Sequence, residues 1–160
     1  MLQFLEKSCA LVNQVAEYLL FGIGLSMALL VATQVFCRYV LNTSLFWSEE
    51  FARYMLVWLS FLGATVAYYR HLHPGVDTLT SRLSASKRRL TQLLVHVITI
   101  ALGVVMMVSG TQFAWFVRLQ VSPALSIPKW IILIIIPFCG VLFCIYALLF
   151  FLKTFQQKSP

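Results

Sequence analysis

Four long apolar runs, separated by short polar stretches, constrain this chain more than any other feature. A bilayer's hydrocarbon core is crossed by about 20 predominantly apolar residues in helical form. Residues 18–38, 48–69, 90–117 and 129–152 meet that requirement. In lipid each run must be helical, because no water is present to satisfy free backbone N–H and C=O groups. The sequence therefore predicts an all-α membrane protein, a single membrane domain over residues 1–160 with four transmembrane helices. Composition agrees: only 11% of the residues are charged, whereas a soluble domain carries about 25%. Too few charges remain to cover a water-exposed surface.

Ahead of the first span, Leu5, Cys9, Val12, Ala16 and Leu19 recur at helical spacing with Gln3, Glu6, Lys7, Asn13, Gln14 and Glu17 between them. Such a stripe predicts an N-terminal interfacial amphipathic helix over residues 2–17, feeding into the span. A simple extension of the first span fits the same residues. Glu6 and Glu17 precede a run too long for a signal core, so the segment is expected to be retained. His73-Pro74-Gly75 marks a turn between spans two and three. Beyond it Val76, Leu79 and Leu83 predict a short amphipathic cytoplasmic segment starting near Asp77, with Ser84 or Ser86 capping the third span. Pro123 and Pro128 break the chain before span four, and Pro137 lies near that span's start. None of Cys9, Cys37, Cys139 and Cys144 forms a C-x-x-C pair, so they read as small core residues.

Orientation follows from charge. With four spans the termini and the middle loop share one side, which holds Lys7, Arg70, Arg82, Lys87, Arg88, Arg89, Lys153 and Lys158. The other side holds Arg38, Arg53, Arg118 and Lys129. The positive-inside rule then places both termini in the cytoplasm. Trp47, Trp115 and Trp130 fall near the outer ends of spans, where an aromatic belt sits. The net charge of +7 suits cytoplasmic loops facing anionic lipid headgroups and argues against nucleic acid as a partner.

Close helix packing in lipid relies on small residues. Gly24, Ala28 and Ala32 supply them in span one, Ser60 with Ala64 and Gly63 with Ala67 in span two, and Gly103, Gly110 and Ala114 in span three, while Pro137 and Gly140 in span four allow either a kink or, with Pro137 near the outer end, an intact helix. The most informative polar segment is Phe46-Trp47-Ser48-Glu49-Glu50-Phe51-Ala52-Arg53. At spacings of four and three residues both acids can reach Arg53 on a helix, and acids in a first turn suit the helix dipole. The cluster reads either as an anchored helix start or as an ion-paired contact to a partner subunit. No nucleophile or metal-ligand set accompanies the carboxylates, so no catalytic, cofactor or metal site is expected, and the chain does not read as an enzyme.

In order along the chain, Arg38-Tyr39-Val40, Trp47, Glu50, Arg53, Trp58, Gly63-Ala64 and Arg70-x-x-His73-x-x-Val76-Asp77 lead to Pro123-Ala124-Leu125-Ser126-Ile127-Pro128-Lys129-Trp130 and Pro137. This ordered set resembles the small permease subunit of tripartite ATP-independent periplasmic (TRAP) transporters, the DctQ-like family, over roughly residues 30–140. The resemblance implies a place in a sodium-coupled secondary importer of organic acids in the bacterial inner membrane. It implies two protein partners, a large multi-span permease subunit and a periplasmic substrate-binding protein. It also implies a scaffold role, with substrate and sodium held by the large subunit. Arg38, Trp47, Glu49, Glu50, Arg53, Trp58, Gly63, Arg70, His73 and Asp77 become the candidate subunit-interface or structural residues. The residues agree, since no pair of broken helices with mid-membrane ligands appears.

Two alternatives fit a four-helix layout. A small multidrug exporter needs an acid inside a span, and Glu17 sits only at the entry of span one. A membrane redox subunit needs paired histidines or paired outward cysteines, and His96 alone lies within a span.

Overall fold

The computed structural model describes residues 2–72 and 84–156, and within them the chain is helical apart from its connections. Four helices are long and apolar enough to cross a membrane. His73, Asp77 and the expected amphipathic segment after them lie outside the described residues.

Helix α1 runs Leu2–Tyr39 without interruption. At 1.5 Å per residue its 38 residues extend about 57 Å, nearly twice the hydrocarbon thickness. No break separates residues 2–17 from the span, because neither Pro nor Gly occurs before Gly22. Only part of the amphipathic stripe turns inward: Cys9 and Ala16 are buried and Leu5 packs against the same core, whereas Val12 and Leu19 are exposed and the polar Asn13 is buried. Leu5, Cys9 and Val12 share a groove with Leu142, Ile145 and Tyr146 of the last helix. Farther along, α1 rests against α2 alone at ordinary contact distance, and its most apolar stretch has no buried residue.

Helix α2 spans Phe46–Tyr69 and α3 spans Ala85–Phe116. Ser84 occupies the N-cap position of α3 in extended conformation, but its side chain makes no capping bond. His71, with φ of 54°, turns the chain away after α2. The final span is split into α4, Lys129–Leu133, and α5, Ile135–Gln156. Pro137 explains the break. A proline ring clashes with the carbonyl four residues back, here that of Leu133, and the helix ends there. Pro137 then stands in the first turn of α5, where its missing N–H costs nothing.

The tightest packing joins α3 to α5. A Cβ added to Gly103 would meet the Gly140 carbonyl oxygen at 2.8 Å and Cys144 Sγ at 2.6 Å. One added to Gly140 would meet the Gly103 oxygen at 2.7 Å. The two backbones therefore touch, which only glycine allows, and Gly110 seats Pro137 and Ile136 in the same way. The α1 stripe differs. A Cβ on Gly24 would come only to 3.8 Å of Leu59, and one on Gly22 would meet nothing within 4 Å. Between α1, α2, α3 and α5 lies a core of Leu62, Thr65, Tyr146 and Leu149 with the ring cluster Tyr68, Tyr69, Phe143 and Phe150.

Candidate functional site at the start of α2

The first two turns of α2 meet the loop that precedes α4. Ser48 is fully buried and donates its hydroxyl to the Leu45 carbonyl at 2.6 Å. Glu50 points toward residues 122–125. One of its oxygens accepts the Tyr54 hydroxyl, one turn along α2. The other accepts the backbone N–H of Ala124 at 2.8 Å. Ser122 Oγ accepts the Leu125 N–H at 3.2 Å, so the loop curls around the carboxylate. Its base is closed by bonds from Ser122 N–H to the Ile127 carbonyl and from Lys129 N–H to the Gln120 carbonyl, both 2.9 Å. Backbone N–H groups in such a loop have no helical partner, and a carboxylate is a strong acceptor for them. Deeper in, Trp58 Nε1 donates to the Ile132 carbonyl at 3.1 Å. That carbonyl lies beside the α4–α5 break, so the indole binds backbone at the point where Pro137 interrupts the helix.

The pairing of Glu49 and Glu50 with Arg53 does not form. Glu50 has turned to the loop, and Glu49 meets only Gln34 Nε2 of α1, at 3.4 Å. Arg53 is exposed and makes no ion pair among the described residues. The physical reason is a difference in magnitude. An exposed helix pair is worth about 0.2–0.5 kcal/mol, whereas a hydrogen bond to a charged group contributes about 1.5–3 kcal/mol. Trp47 is half-buried and faces Phe51 with ring centroids 6.3 Å apart. Arg38 is exposed in the last turn of α1, where a cation complements the helix dipole. Gly63 approaches Leu20 of α1 at ordinary contact distance.

At the opposite end, which carries both termini, ion pairs tie α1 to its neighbours. Arg70 donates Nε and Nη2 to the two oxygens of Glu17 at 2.6 and 2.7 Å, and Asn13 donates to Glu17 at 2.6 Å. This contact holds the Arg70 guanidinium more firmly protonated than usual. Lys153 reaches Glu6 at 2.5 Å. The Tyr68 hydroxyl lies 2.7 Å from His96 Nδ1, which accounts for the polar ring inside α3. The motif reading singled out Arg70 but missed Glu17 as its partner. A signal was present: Glu17 lies 22 residues before the end of α1, and Arg70 lies 24 residues after the start of α2. Opposite charges at nearly the same distance from one turn meet in an antiparallel pair.

Residues 27–157 match the family described as tripartite ATP-independent periplasmic transporters, DctQ component. Among similar proteins, a putative TRAP transporter small permease protein of Haemophilus influenzae is 36% identical over 72 residues, 45% of each chain. The C4-dicarboxylate TRAP transporter small permease protein DctQ of Vibrio cholerae is 27% identical over 112 residues, 65% of this chain and 48% of that one. The sialic acid TRAP transporter permease protein SiaT of Haemophilus influenzae is 28% identical over 87 residues, 54% of this chain and 14% of that protein. The match thus spans less than half the length of each of these relatives.

Proposed function

This chain belongs to the DctQ component family of TRAP transporters, a transporter component rather than an enzyme, and from that premise we propose that it is a static membrane scaffold. It braces a large permease subunit in a sodium-coupled importer of organic acids, carboxylates of the kind named for its relatives. A periplasmic binding protein delivers the substrate to the assembled complex. Both termini face the cytoplasm, a reading that the distribution of Lys and Arg supports. The end of α2 that holds Glu50 then faces the periplasm, where the curled loop offers a preformed surface.

One observation carries the scaffold reading. Substrate and ion sites in secondary transporters are built from broken helices whose free backbone groups point into a cavity. Among the described residues the long helices are interrupted at Ile134, between α4 and α5. There the Ile132 carbonyl is occupied by the Trp58 indole. One backbone carbonyl beside the break is thus engaged within the protein, which supports the scaffold reading. Support for a large partner comes from SiaT, in which the matching segment is a small part of a much longer permease.

Affinity purification tests the assignment. Tagged chain, extracted in mild detergent from its native membrane, is expected to bring down a much larger membrane permease in constant proportion. Recovery of the chain alone, under conditions that keep it folded, overturns the assignment. A C-terminal reporter active only outside the cytoplasm is expected to stay silent, and activity there reverses the orientation.

A further inference from the structure

The exposed residues of α2 follow a helical stripe: Phe46, Glu49, Arg53, Leu56, Ser60 and Ala64. Two of the six are charged, one is a hydroxyl and one is a methyl. The other helices also expose small or hydroxyl residues, such as Ala28, Ala32 and Thr33 of α1 and Ser109 and Thr111 of α3, but no charge well inside their spanning stretches. Phe21, Leu25 and Leu29 of α1, and Leu102, Val105 and Val108 of α3, are large, apolar and exposed, as lipid-facing residues should be. Arg53 lies seven residues past the start of α2, about 10 Å along the axis, inside a helix long and apolar enough to span the membrane. Both carboxylates on its own helix are directed elsewhere, Glu50 to Ala124 and Glu49 to Gln34. Ser60 Oγ bonds the Leu56 carbonyl at 2.8 Å, so it does not repel an apolar neighbour. Below Arg53 the stripe is narrow enough for a second helix to come close.

From this we infer that the α2 stripe is the face on which a transmembrane helix of the large subunit docks, and that this helix carries a carboxylate at the depth of Arg53. The inference rests on the scaffold reading and adds which face is covered and the chemistry of what covers it. Charge complementarity selects the partner. A guanidinium within a spanning helix needs an anion, and a carboxylate accepts two of its N–H groups side by side. A lipid phosphate reached by snorkelling would satisfy the guanidinium but would leave the small-residue part of the stripe uncovered.

The test uses the co-expressed two-subunit membrane complex. A photoreactive phenylalanine derivative replaces Leu56, and in a second version Val105. Cross-linking to the large subunit is expected from position 56 and not from position 105. In parallel, Arg53→Glu is expected to lower the recovered large subunit to less than about a tenth of wild type, because it sets like charges against each other in a shielded contact. Arg53→Lys keeps most of it. Cross-links from position 105 but not 56, or wild-type recovery with Arg53→Glu, overturn the inference. If Arg53→Glu does not fold, the cross-linking result alone decides. Failure of the unsubstituted chain to recover any large subunit strikes the scaffold reading instead, so the two failures are distinguishable.

Discussion

Removing the Glu50 carboxylate should loosen the loop before α4 without unfolding the bundle. Glu50→Ala deletes the acceptor of the Ala124 N–H and of the Tyr54 hydroxyl. The Ala124 bond is charge-assisted and so the larger part of what is lost, and the tyrosine bond adds to it. Ala124 is only half-buried, so water replaces part of it. The loss stays local, and the contact of Gly103 with Gly140 is untouched. The Ala124 amide should therefore exchange with deuterium about tenfold faster, while amides of α3 and α5 keep their protection. Glu50→Gln retains an acceptor oxygen and should show the smaller part of the effect. Glu50→Asp, one methylene shorter, should behave more like Ala. Unchanged exchange at Ala124 in Glu50→Ala would refute the reasoning, as would faster exchange spread evenly over all helices.

Three further outcomes are expected. Gly140→Leu drives a side chain into the Gly103 carbonyl, 2.7 Å from the first added carbon, and should separate α3 from α5. Its thermal midpoint in detergent is expected to fall well below that of Gly24→Leu, whose site is open. Trp58→Phe keeps most of the ring but loses the bond to the Ile132 carbonyl; a loss of about 1 kcal/mol in stability is expected, measured by denaturant titration in mixed micelles. Arg70→Ala breaks a pair whose arginine side chain is 56% exposed, so it should lower the thermal midpoint only slightly. Exchanging the two charges, Glu17→Arg with Arg70→Glu, should restore most of that loss in a double-mutant cycle.

The four spans were legible in the sequence because lipid leaves little choice: an apolar run of sufficient length must be a helix. The break near the start of the last span was legible only in part, since Pro137 so near a helix end is compatible with a kink or with a cheap place in a first turn, and the sequence does not choose between them. What was not legible were contacts between residues distant in the chain. Glu50 looks from its neighbours like a partner for Arg53, and only the fold brings Ala124, 74 residues later, within reach of a better bond. The small-residue stripes of α1 and α3 look alike in sequence. Only the α3 glycines meet another backbone, because α5 supplies Gly140 opposite them. The first 17 residues show a stripe that fits a headgroup interface or a bundle equally well. The groove that Cys9 shares with Tyr146 is a property of the assembled helices.

The claim that this chain braces a transporter but moves nothing itself is tested most directly by reconstitution. Liposomes containing the purified chain alone, given an inward sodium gradient and labelled carboxylates, should take up no more than empty liposomes. Adding the large permease subunit and the binding protein should produce sodium-driven uptake, and omitting this chain should abolish it. Uptake by the chain alone, or full uptake without it, would contradict the account.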